Sequence, residues 1–77
     1  MQRQLTNGEK AMGIIFNPGG HEDVNTVKRM CADLYDKIEE LRSKANSGGA
    51  SRYYSIAITH LEIAQMEAVK AITWQYN

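Results

Sequence analysis

The chain has 77 residues, with nine basic and nine acidic side chains and a formal net charge of zero. That length gives one domain, residues 1–77, which hides only about 60% of its unfolded surface on folding. Balanced charge excludes the global basic field that draws proteins onto polymeric nucleic acid. A single cysteine, Cys31, excludes an internal disulfide, and with His21 and His60 it makes no zinc-site spacing, so oligomerisation is the stabiliser left to so small a chain.

Thr6-Asn7-Gly8-Glu9 has the spacing of a capping box, which predicts a short helix over about Asn7 to Met12 with Gly13 as its C-terminal stop. Ile14-Ile15-Phe16 follows as an apolar triplet expected to dock on the main helices, and Asn17-Pro18-Gly19-Gly20 is strong turn chemistry. From about Glu22 a long amphipathic helix is expected. Val24, Val27, Cys31, Leu34, Ile38 and Leu41 alternate by three and four residues as its inner stripe, while Lys28, Arg29, Asp33, Asp36, Lys37, Glu39, Glu40 and Arg42 make the solvated face. Asn46-Ser47-Gly48-Gly49 predicts a stop and a flexible connection, after which Ser51 caps a second helix running to about Trp74.

That second helix is apolar almost all round: Tyr53, Ile56, Ile58, Leu61, Ile63, Met66, Val69, Ile72 and Trp74 fall on no single face. One partner helix cannot cover such a surface, so the extra cover has to come from other copies of the chain. The predicted fold class is all-α: an N-terminal helix and loop over residues 1–20, then an antiparallel hairpin of two long helices over residues 21–77, assembling into a homo-oligomer. No segment approaches the roughly 18 apolar residues of a membrane span. With one lone cysteine and no secretory segment, a soluble protein of a reducing cytosol, without membrane partners, is expected.

The candidate chemistry is sparse. The histidines, the cysteine and the carboxylates fall into no catalytic spacing; His60, beside Glu62, reads as a polar-face residue, and Cys31 on the apolar stripe as an inert thiol. No metal or cofactor is expected. The turn at Asn17, Gly19 and Gly20 has two readings, a plain structural turn or a glycine-rich approach to a phosphate before a helix start. Lys28, two turns into that helix, is either surface charge or a phosphate contact. Phe16 either packs into the core or stacks a base, an interaction of about 1–3 kcal/mol.

Val27-Lys28, Ala32-Asp33-Leu34 and Ile38, then Ser55-Ile56-Ala57-Ile58-Thr59 and the run Ala64-Gln65-Met66-Glu67-Ala68-Val69-Lys70-Ala71-Ile72-Thr73-Trp74 resemble a phage anti-defence family. That family is the anti-CBASS cyclic-nucleotide sponges, whose helical hairpin is shared with a sponge of the Thoeris signalling system. The likeness covers roughly Ile15 to Trp74. It implies a hexamer that works in the host cytoplasm and sequesters cyclic di- or trinucleotides without cleaving them, so that the immune effector is not activated. It also implies a dinucleotide pocket between subunits in which a lysine of the first long helix faces a phosphate and an N-terminal aromatic stacks a base. Lys28 matches the lysine; relatives carry a tyrosine near Met12 or Gly13, where Phe16 is the nearest ring here. A second, trinucleotide pocket draws on the second long helix. Some relatives have an arginine near Ile58, where this chain offers only Thr59 and His60. The rival expectation is a structural or regulatory hairpin that binds a protein partner through its apolar second helix.

Overall fold

Residues 3–74 are described by a computed structural model, which contains three helices: α1 (Asn7–Met12), α2 (Glu22–Ser43) and α3 (Gly48–Ile72). The capping box forms as its spacing predicts. Thr6 Oγ1 accepts the Glu9 N–H at 3.1 Å, and Glu9 Oε1 accepts the Thr6 N–H at 2.8 Å. Gly13 ends α1 at φ 61°, in the left-handed region open to glycine at little cost.

α1 lies against α2 because of Gly8. Its N–H donates to Asp36 Oδ1 at 2.8 Å, and Thr6 Oγ1 donates to Asp36 Oδ2 at 2.7 Å, so one carboxylate of α2 satisfies the first turn of α1. A Cβ on Gly8 would overlap the Ala32 carbonyl oxygen, and Ala32 itself is fully buried. Glu9, 2% exposed, takes both guanidinium nitrogens of Arg3 at 2.7 and 2.8 Å and Arg29 Nη1 at 2.8 Å. Its bonds from Arg3, the Thr6 amide and Arg29 hold the carboxyl far below the usual carboxylate range. The N-terminal element is thereby tied to α2 by charge as well as by shape. Glu39, assigned to the solvated face by its spacing, also takes part by accepting from Asn7 Nδ2 at 3.1 Å.

α2 and α3 run antiparallel: Val24 and Lys28 at the start of α2 share a cleft with Val69 and Thr73 at the end of α3, while at the other end Arg42 Nη1 donates to Ser55 Oγ at 3.2 Å. The connection is shorter than the sequence suggested. Ser47, not Ser51, caps α3 by accepting the Ala50 N–H at 3.1 Å, and Gly48 and Gly49 belong to the first helical turn rather than to a flexible linker. Ser-Gly-Gly favours a break only where nothing continues it, and here the cap and 23 further helical residues do.

The expected stripe of α2 is only partly covered. The buried line is Val24, Lys28 and Ala32, spaced by four, because α1 and the residues after it lie along that face; Leu34 and Leu41 of the predicted stripe are exposed. Lys28, expected on the solvated face, is therefore inside, and Cys31 is half-buried with its thiol pKa pushed up by burial. The apolar triplet does not dock as expected: Ile14 is half-buried, but Ile15 and Phe16 are exposed. The thinnest dimension is 13 Å, about one helix. The radius of gyration is 14.0 Å, against about 11.5 Å for a compact domain of this length. A layer one helix thick cannot cover both of its faces. Met30 and Leu34 on α2, and Tyr53, Ile63 and Met66 on α3, are accordingly left in contact with water in the single chain.

Candidate functional site

The open end of the hairpin holds a cleft of about 460 Å³, within the roughly 300–1,000 Å³ range of small-molecule sites. Its rim is the 16–21 segment, with Phe16, Asn17, Pro18, Gly19 and His21; its floor is Val24 and Lys28 from α2 with Val69 and Thr73 from α3. The turn that carries the rim is built by Asn17. Asn17 Oδ1 accepts the His21 N–H at 3.2 Å, and its Nδ2 donates to the His21 carbonyl at 2.9 Å and to Asn25 Oδ1 at 2.8 Å. The Gly20 N–H closes the turn on the Asn17 carbonyl at 2.9 Å, with Gly20 at φ 61°.

Lys28 is the centre of the cleft's electrostatics. It is 6% exposed, and its ammonium donates to the carbonyl of Gly13 at 3.1 Å and to the carbonyl of Phe16. The ammonium also lies 5.5 Å from the centre of the Phe16 ring. Two of its three N–H groups are thus spent on main-chain oxygens that hold the residues after α1 in place. Among the described residues Lys28 forms no ion pair, and no carboxylate lines the cleft. A buried positive charge held only by dipoles is costly to keep and is stabilised by an anion at its remaining donor.

Phe16, Asn17, Gly19 and Lys28 lie together at the cleft. Gly20 supports the turn without bordering the cleft, and Met12, the last residue of α1, is buried in the core. Phe16 is 70% exposed, so of its two readings the ring is not a core residue of the single chain. Thr59 and His60 lie exposed on α3, away from the cleft; the Thr59 hydroxyl donates back to the Ser55 carbonyl at 3.3 Å. Pro18, His21, Val24, Val69 and Thr73 were not expected at a ligand site from the sequence. The end of α3 was within reach of that reading, since two antiparallel helices of similar length must set residues near 70 opposite residues near 25. The role of His21 was not, because it depends on how the turn closes.

A sequence model of the Acb2/Tad1 hairpin domain matches residues 6–73 of the chain, which includes every residue of the cleft. No curated protein and no solved structure matches it.

Proposed function

We propose that this chain, which belongs to the Acb2/Tad1 hairpin family of anti-CBASS and Thoeris sponges by its match over residues 6–73, binds and sequesters a cyclic oligonucleotide messenger without cleaving it. The observation that carries this reading is Lys28: a buried ammonium, free of any carboxylate among the described residues, set in a cleft of small-molecule size. A phosphate diester supplies the missing negative charge. Phe16 presents an open ring surface directly above the same ammonium, so a phosphate at Lys28 and a base stacked on Phe16 are compatible with one ligand.

The single-chain cleft is open on one side, and a cyclic dinucleotide has two phosphates and two bases. Copies of the chain that meet along their uncovered apolar surfaces would bring a second such cleft to the other half of the ligand, with a hexamer as the assembly. Exposed Leu34, Ile63 and Met66 support that clustering, since apolar side chains left in water on so thin a layer gain from being covered. Sequestration then works by mass action, each assembly withdrawing several messengers from the effector of the host cytoplasm.

The test is recovery. Purified protein is incubated with a panel of cyclic di- and trinucleotides, separated by filtration and heated. The reading expects the ligand to leave the filtrate and to return intact on heating. A hydrolysed product would instead mark an enzyme. A chain that stays monomeric and retains nothing would favour a hairpin that docks a protein partner through Ile63 and Met66.

A further inference from the structure

Asn17 is the obvious polar side chain to assign to a ligand, but its bonding leaves it nothing to give. Both of its amide hydrogens are engaged, with the His21 carbonyl and Asn25 Oδ1, and its oxygen accepts the His21 amide. Releasing any of them for a ligand would open the turn that forms the rim. Asn17 is therefore a positioning residue, and the residue it positions is His21.

His21 is fixed from two directions. Its main chain is held at both N–H and C=O by the Asn17 side chain, and its imidazole Nδ1 accepts the Asp23 N–H at 3.2 Å as the N-cap of α2. An Nδ1 that accepts a hydrogen bond carries no proton, so the neutral ring carries its proton on Nε2. Nε2 has no protein partner among the described residues, and His21 borders the cleft that Lys28 underlies. We infer that His21 Nε2–H is the directional hydrogen-bond donor of this cleft, reading a phosphate or base-carbonyl oxygen of the bound cyclic dinucleotide, with Asn17 and the Asp23 amide setting its orientation. This rests on the proposed sequestering function, and adds a second ligand contact beside Lys28. The two donors differ in kind. Lys28 supplies charge, whereas a ring locked in one tautomer supplies direction, and a ligand that offers no acceptor at that point leaves a donor unpaired.

The two ring nitrogens can be tested apart. In His21→Asn the side-chain oxygen falls near the place of Nδ1, so the cap is kept and the Nε2 donor is lost; in His21→Gln the amide reaches the place of Nε2, so the donor is kept and the cap is lost. Full-length protein and both variants are titrated calorimetrically with cyclic di-AMP, cyclic di-GMP and their mixed counterpart, and melted at one fixed protein concentration. The expected result is a crossed pattern. His21→Asn melts with the unaltered chain but binds about ten-fold or more weakly. His21→Gln melts about 4–8 °C lower yet binds within about three-fold. Undiminished binding by His21→Asn overturns the inference while leaving the sequestering function standing. Absence of binding by the unaltered chain overturns both.

Discussion

Replacing Gly8 with alanine sets two known effects against each other, and the structure decides the sign. In an exposed helix the change would stabilise, since alanine is favoured over glycine by about 1 kcal/mol. At Gly8 the added Cβ would overlap the Ala32 carbonyl oxygen and sit 2.7 Å from Asp36 Oδ1, and two of those neighbours are main chain or tightly bonded. α1 would have to lift off α2. Overpacking of this kind costs about 1–3 kcal/mol, and stretching the Gly8 amide away from the Asp36 carboxylate forfeits a charge-assisted bond of about 1.5–3 kcal/mol. Net of the propensity gain, Gly8→Ala is expected to destabilise by about 1.5–5 kcal/mol, a fall of at least about 6 °C in melting temperature for a domain of this size. The control is Gly49→Ala, in the first turn of α3 with nothing within 4 Å of the new Cβ, where a gain of about 0.5 kcal/mol is expected. Thermal melts by circular dichroism at a common protein concentration read both. If Gly8→Ala melts at or above the parent, α1 does not pack on α2 through Gly8, and the account of how the N-terminal element is held is wrong.

The other predictions concern charge, ligand and assembly. Since the Glu9 carboxyl titrates far below its ordinary 4.5 when folded, its contribution is fully present above that value and is lost as pH falls below it. Melting temperatures measured from pH 7 downward should therefore separate wild type from Glu9→Gln most at neutral pH and converge on acidification; a constant gap would refute the assignment. Phe16→Ala should lower the melting temperature only by what the ring's contact with the Lys28 ammonium is worth, since the ring is otherwise exposed, while weakening cyclic dinucleotide binding by about 1–3 kcal/mol, the worth of a lost stack. Lys28→Met should both weaken binding and lower the melting temperature, because the ammonium also holds the carbonyls of Gly13 and Phe16; equal affinity in calorimetry would reject Lys28 as the phosphate contact. A Met66→Glu change places a charge on the uncovered face of α3 and is expected to leave the helix content intact while sedimentation shows the mass falling to that of a monomer. Unaltered mass would put the interface elsewhere.

How far the sequence could be read varied with the range of the interaction. Local signals held: the Thr6–Glu9 box, the left-handed Gly13 and the long amphipathic pattern from Glu22 depend on neighbours within a turn or two, and each is found where the spacing puts it. Ser51 was the expected cap, and Ser47 takes that place because Gly48 and Gly49 are carried into a helix stabilised further along. Lys28 was legible as a candidate but not as a buried one. Periodicity sorts residues by polarity, and cannot know that α1 and the residues behind it cover the polar side of α2 at that point. The same ignorance of tertiary cover made the Ile14–Phe16 triplet look like core, when only Ile14 is sheltered. Of the cleft, the contributions of Asn17, Gly19 and Phe16 came from turn chemistry and composition, while those of Val69 and Thr73 needed the two helices set side by side. His21 looked like an ordinary residue until the Asn17 side chain was seen to hold it.

Native mass spectrometry of the full chain mixed with a cyclic dinucleotide tests the central claim most directly, because it reads copy number and ligand load in one spectrum. A multi-copy assembly carrying a whole number of intact cyclic dinucleotides, with the ligand lost from Lys28→Met, is the predicted outcome. A single-copy species with no bound mass at any ligand concentration would contradict it.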